Sequence, residues 1–214
     1  MTSRIQKTVV LGAGTMGARI AAHFANAGLS CLLLDIVPKD SMQADRNKLV
    51  LAGIDAAKKS KPAAFFSPFL VSRITIGNFE DDLSRIADAD WIIEVVAENL
   101  EIKRNLLGKV AQFRKPGSIV TTNTSGLPVH LIAEGLPEEF QQHWAGTHFF
   151  NPPRYMKLVE IIPGPKTPAE VLTTLADFCD RRLGKGVVIA KDTPNFIANR
   201  IGTYSMLNAL RLMS

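Results

Sequence analysis

His148 and Glu160 have the residue types and the spacing of a proton-transfer pair. His148 stands near the carboxyl end of a predicted strand, 146–150, just before the turn Asn151-Pro152-Pro153. Twelve residues on, Glu160 interrupts the apolar run Leu158-Val159-Glu160-Ile161-Ile162. A carboxylate in such a strand is costly unless it has a partner. A chain reversal centred near Arg154 brings it back beside His148, where it can orient the imidazole and stabilise its protonated form, as a general base requires. The residues alone leave a second reading open: a buried Glu satisfied by backbone amides, and a His that merely packs. His23, inside the first predicted helix, and His130 and His143, in polar surroundings, read as structural or solvated.

A second constellation points to a dinucleotide. Gly12-Ala13-Gly14-Thr15-Met16-Gly17 fits G-x-G-x-x-G directly after a strand-like run and directly before a helical one. In that setting the first glycine permits a tight turn, the second lets backbone amides approach a pyrophosphate, and the third lets helix and strand pack closely. The helix start presents N–H groups and partial positive charge to the phosphates. Gly12, Gly14, Thr15, Met16 and Gly17 are therefore candidate cofactor contacts. Asp35 ends the next strand, 18 residues after Gly17, and no Arg or Lys follows it until Lys39. A carboxylate there accepts from both ribose hydroxyls of NAD and repels the extra phosphate of NADP. Asn123-Thr124-Ser125, ending a further strand, and Asn199, opening the last helix, add amide and hydroxyl groups. Each alone reads more readily as a turn or cap residue. Combined with the loop and the His–Glu pair, they point to oxidation of an alcohol by NAD.

The elements that must position these groups alternate along the chain, which predicts an α/β fold with a doubly wound, mostly parallel sheet. Strands are expected at 7–11, 31–34, 74–76, 91–96, 118–122, 146–150, 157–162 and 187–190, and helices at 16–27, 100–113 and 168–182. Residues 41–61 have helical spacing and a basic, polar character. From Pro194 onward the apolar residues Phe196, Ile197, Ile201, Tyr204, Met206, Leu207, Leu210 and Met213 predict a helix apolar on more than one side, of the kind that buries itself in a bundle. The expected division is a nucleotide-binding domain over 1–192 and, over 193–214, the first helix of a truncated all-helical domain.

Composition removes several classes. With 46% hydrophobic and 21% charged residues the 214-residue chain has enough apolar surface for a packed core, which excludes global disorder. No apolar run approaches the roughly 20 residues of a membrane span. Met1-Thr2-Ser3-Arg4 runs straight into the first strand, so no signal peptide is expected. Cys31 and Cys179 lie in apolar stretches without metal or redox spacing and read as buried thiols in a reducing cytosol, so no metal is expected. The net charge of +5 is dispersed and not interleaved with aromatics, which argues against nucleic acid.

The motifs together resemble the NAD-binding part of the L-3-hydroxyacyl-CoA dehydrogenase family. The resemblance is carried by Gly-Ala-Gly-Thr-Met-Gly (12–17), Val-Ala-Glu-Asn-Leu-Glu-Ile-Lys (96–103), Asn-Thr-Ser-Gly (123–126), Gly-Thr-His-Phe-Phe-Asn-Pro-Pro (146–153), Met-Lys-Leu-Val-Glu (156–160) and Lys-Asp-Thr-Pro-Asn-Phe-Ile-Ala-Asn-Arg (191–200). It implies a Rossmann-type sheet, NAD as cofactor and an acyl-CoA substrate in fatty-acid β-oxidation. It further implies His148 as the base taking the 3-hydroxyl proton and Glu160 as its orienting partner. Ser125 and Asn199 match positions that hydrogen-bond the reacting oxygen or the thioester end. Asn151 matches a position at the reaction centre, and Glu98, Lys103 and Asn123 fall on the nicotinamide side of NAD.

The family is dimeric through the helical domain of which only the first helix is expected here. Residues 58–73 and 146–153 look more like a bacterial subtype whose chain continues into a hydratase-like region. Lys58, Lys59 and Lys61 suit the phosphates of coenzyme A as well as they suit solvent, and no one of them is assigned. Two alternatives accompany this reading: a sugar-acid dehydrogenase related to lambda-crystallin, and a catalytically silent NAD-binding fragment.

Overall fold

The computed structural model describes residues 5–39 and 46–213. Residues 1–4, on which the signal-peptide expectation rests, and the opening of the predicted 41–61 helix lie outside that range, as does Ser214.

Apolar runs make the central strands. β1 (Lys7–Leu11), β2 (Ser30–Asp35), β3 (Ile74–Asn78), β4 (Trp91–Glu94), β5 (Ile119–Thr122), β6 (Trp144–Phe149), β7 (Leu158–Pro163) and β8 (Gly186–Ile189) form one sheet in the order β3-β2-β1-β4-β5-β6-β7-β8. β1 to β6 pair in parallel, β7 runs antiparallel to β6, and β8 is parallel to β7. Successive side chains point to opposite faces, so a strand covered on both sides must be apolar throughout. Val10, Leu33, Trp91 and Ile93 pack in the layer of α1 (Thr15–Asn26), α2 (Lys48–Lys59) and α6 (Ala169–Arg181). Val9, Leu11, Leu34, Ile92 and Val120 face the layer of α3 (Leu100–Phe113), α4 (Val129–Ile132) and α5 (Glu138–Gln142). The strand order reverses between β1 and β4. The carboxyl ends of the strands open there into the crevice that binds ligands in sheets of this kind.

Several elements differ from expectation. The 41–61 helix is Lys48–Lys59 within the described residues. The strand predicted over 91–96 stops at Glu94, and that predicted over 146–150 begins two residues early, at the buried Trp144. α4 and α5 were not predicted; at four and five residues they are too short to display a helical period. α4 is capped from far along the chain, because the Asp192 carboxylate accepts from Val129 N–H and His130 N–H at 2.9 and 2.8 Å. The last helix, α7 (Ala198–Met213), has no buried residue, and Ile201, Tyr204, Leu207, Leu210 and Met213 all lie open to solvent. Among the described residues no helix is long and apolar enough to cross a membrane. Both cysteines are buried and free, and burial pushes their thiols up to about 12.

His23 of α1 is enclosed in the core. Its Nε2 lies 3.2 Å from Leu183 O, while Nδ1 has no partner. Burial first, and then the nearby Lys185 charge, pull its pKa down to about 4. The unfolded chain, near 6.5, therefore binds the extra proton at a higher pH than the folded one. Stability is expected to fall as pH drops from about 6.5 to about 4, by about 3 kcal/mol from this residue. Urea titrations across that window check the point, and His23→Leu should flatten the dependence by that amount.

Candidate active site

The nucleotide loop joins β1 to α1 at the crevice. Gly12 has φ +106°, and a Cβ there would stand 2.7 Å from Val95 O, so the turn at the end of β1 and the end of β4 touch through backbone. A Cβ on Gly17 would lie 1.8 Å from Gly12 O, which is what lets α1 begin so close to the strand. Gly14 is the helix N-cap, without a side-chain cap, and a Cβ there would meet nothing within 4 Å. The first-turn amides of α1, at exposed Gly14 and Thr15 and half-buried Met16, thus open onto free space. Asp35, at the end of β2, accepts from Ala13 N–H through Oδ2 and from Ile36 N–H through Oδ1, both at 2.7 Å. The expected phosphate and ribose groups therefore share one rim. Gly53 of α2 also belongs to this rim: a Cβ there would lie 2.1 Å from Ala13 O. The sequence reading passed over it because an isolated glycine inside a helical pattern carries no signal of what it packs against.

The antiparallel register of β6 and β7 sets His148 directly opposite Glu160. Both are buried, and His148 Nδ1 lies 2.8 Å from Glu160 Oε2. The other carboxylate oxygen, Oε1, accepts from Ile197 N–H at 3.0 Å and Ala198 N–H at 2.8 Å, at the start of α7. The Glu160 carboxylate thus meets the imidazole through one oxygen and backbone amides through the other. With the proton on Nδ1 held by the carboxylate, Nε2 keeps its lone pair, and Ser125 Oγ stands 3.2 Å from it. Phe150 and Phe196 flank the imidazole, with ring centroids 4.4 and 5.6 Å away. Asn195 and Phe196 both have positive φ, 64° and 47°. For a phenylalanine this backbone is strained, and it is what turns the ring against His148 and the next two amides toward Glu160.

Glu98, between β4 and α3, holds the Ser125 turn. One of its oxygens accepts from the Thr124 hydroxyl and from Ser125 and Gly126 N–H at 3.1 and 3.2 Å. Half-burial works against its charge, but Thr124, Lys103 and these amides together hold the carboxyl below its ordinary value. Lys103 is fully enclosed and lies beneath Glu98. Asn123 Oδ1 accepts Phe149 N–H at 2.9 Å, tying β5 to the end of β6 beside His148. Asn151 accepts from Arg19 Nη1 at 2.6 Å, while Asn199 lies half-buried in the first turn of α7, one residue past Ala198. His130 pairs with Asp192 and His143 with Glu139, both away from the pair. Among the described residues no cluster of His, Cys, Asp and Glu is arranged to hold a metal ion.

Residues 7–193 match the sequence profile of the family described as "3-hydroxyacyl-CoA dehydrogenase, NAD binding domain". The chain belongs to the 3-hydroxyacyl-CoA dehydrogenase family. The chain is 48% identical over 98% of its length to a probable 3-hydroxyacyl-CoA dehydrogenase of Deinococcus radiodurans, of which it covers 60%. It is 49% identical over its whole length to a similarly named Bacillus subtilis protein, of which it covers 28%. The solved 3-hydroxybutyryl-CoA dehydrogenase of Escherichia coli shares its fold with a TM-score of 0.79 at 31% identity, over 94% of this chain and 41% of that one. The chain therefore spans about 60% or less of each of these relatives. The description of the matched family names NAD as the ligand of this domain. The uncapped start of α1, the open space at Gly14 and the carboxylate of Asp35 suit that dinucleotide.

Proposed function

We propose that the chain takes part in the NAD-dependent oxidation of L-3-hydroxyacyl-CoA to 3-oxoacyl-CoA in fatty-acid β-oxidation. The observation that carries this reading is His148, held at Nδ1 by Glu160 at 2.8 Å with Nε2 facing Ser125, on the same sheet edge as the nucleotide loop. His148 Nε2 takes the proton of the 3-hydroxyl, and Glu160 holds the ring and balances its positive charge. NAD, when bound, supplies the acceptor for the hydride that leaves C3. Ser125 and Asn199 donate to the reacting oxygen or the thioester end, and Asn151 lies at the reaction centre. Gly12, Gly14, Thr15, Met16 and Gly17 meet the pyrophosphate and Asp35 the ribose, while Glu98, Lys103 and Asn123 serve the nicotinamide side. Phe150 and Phe196 keep water from the imidazole, which strengthens its interactions.

The exposed apolar α7 supports a boundary near residue 193, with a helical second unit that completes the acyl site and forms the dimer. The chain covers 28% of the Bacillus relative and 28% of a Rickettsia felis protein named a putative fatty acid oxidation complex trifunctional enzyme, in keeping with a longer, multifunctional parent. The proposal takes the substrate to be a small molecule of the cytoplasm rather than a nucleic acid or a membrane. The test is NADH consumption with acetoacetyl-CoA, run beside a panel of 3-oxo acids lacking coenzyme A. Turnover confined to the thioester is expected. Equal turnover of the free acids would favour the sugar-acid reading, and NADH binding without turnover, even in a longer chain carrying this domain, would leave a nucleotide-binding unit only.

A further inference from the structure

A buried charge network lies under the site, and its innermost carboxylate, Glu94, has no part in the reaction above. Glu94 is the last residue of β4, at the point where the strand order reverses, and it is fully enclosed. Lys103 Nζ lies 2.8 and 3.0 Å from its two oxygens. The Thr122 hydroxyl donates to Oε2 at 2.6 Å, and Val96 N–H donates to Oε1 at 2.7 Å. The remaining reach of the ammonium goes to Glu98 Oε2 at 3.3 Å and Val96 O at 3.4 Å. Its three protons thus all have acceptors inside the protein. Burial pushes the Glu94 carboxyl up from its ordinary value, against the opposing pull of Lys103, Thr122 and the Val96 amide.

A buried ion pair adds little to stability that well-packed apolar groups would not supply. Its use here lies in where it leads. The ammonium that Glu94 holds is the one that fixes Glu98, and Glu98 in turn gathers the amides of the turn carrying Ser125, whose hydroxyl meets His148 Nε2. We infer that Glu94 is a positioning residue for the nicotinamide end of the cofactor site, acting through Lys103 and Glu98. The inference rests on the reading that Glu98 serves that end. Without the Glu94 charge the enclosed ammonium keeps Glu98 as its one carboxylate and draws it inward, loosening the Ser125 turn. Asp35 stands on β2, separated from β4 by β1, and lies outside this chain of contacts. The adenosine half of the cofactor is therefore untouched.

The experiment titrates NADH and ADP-ribose into the wild type, Glu94→Gln and the double variant Glu94→Gln/Lys103→Met. The double variant leaves no unpaired buried charge, so it tests the inference even if Glu94→Gln alone does not fold. Both variants are expected to lose NADH affinity by about tenfold or more, the effect of losing a charge-assisted contact, while ADP-ribose binds as in the wild type. Wild-type NADH affinity in the double variant, or equal loss of both ligands, would overturn the inference by reducing the pair to a structural one. A wild type that bound neither ligand would overturn the proposed function itself, and the inference with it.

Discussion

Changing His148 to Gln is expected to lower turnover of the acyl-CoA substrate by about 10²–10⁴-fold and to leave NADH binding nearly intact. Glutamine is similar in reach and can still donate an amide proton to Glu160, so the pair's place in the sheet and the bonds of Glu160 to Ile197 and Ala198 should survive. What disappears is the basic lone pair at Nε2, the atom that faces Ser125. The nucleotide loop lies on β1 and α1, which carry none of this machinery, so binding and chemistry should separate. Steady-state kcat together with NADH titration reads both, and an unchanged kcat would remove His148 from the mechanism.

The second large effect is expected at Gly17. Its missing Cβ would sit 1.8 Å from Gly12 O, a backbone atom that no side-chain rotation can move aside. Gly17→Ala must push α1 off β1, and Gly12 cannot yield because its own turn abuts Val95 O. A loss of about 1–3 kcal/mol in stability follows, with NADH affinity reduced by about 10- to 100-fold as the first-turn amides lose their aim. Gly14→Ala is the contrasting change. A Cβ there meets nothing of the protein, so that variant should melt like the wild type and lose affinity only. Thermal melts beside NADH titrations separate the two, and a Gly17→Ala variant as stable and as tight as the wild type would contradict the argument.

What could be read from the sequence was what is local. α3 is predicted to the residue, at 100–113, because its apolar period and the Pro116-Gly117 stop lie within one stretch. The meeting of His148 and Glu160 is predicted for a related reason: an antiparallel return over a short connection has its centre midway between the paired residues, at Arg154, and the register obeys this. Glu94 and Phe196 escaped notice because their roles depend on partners that pattern does not reveal. Glu94 interrupts the apolar run from Trp91 to Val96 much as Glu160 interrupts its own, but the pattern does not name its partner, Lys103, nine residues on. Phe196 reads as one more apolar residue of the final helix, whereas it precedes that helix in a left-handed conformation that sequence periodicity cannot signal. The cap on α4 comes from Asp192, more than sixty residues downstream, and is invisible in the same way.

The double engagement of Glu160 has a consequence for how this protein divides into modules. By its strands the sheet is complete at Ile189. A chain cut there would keep every paired strand, losing from the sheet only the Ala190 N–H bond to Ile161 O, and still strip Oε1 of both its N–H donors. The carboxylate, enclosed and short of partners, would be free to swing from Nδ1, and the imidazole would lose the aromatic wall of Phe196 as well. The sheet and the reacting unit therefore have different borders. Any transplant of this nucleotide-binding half onto another partner must carry the first turn of α7 with it, or it will carry a histidine whose aim has been lost.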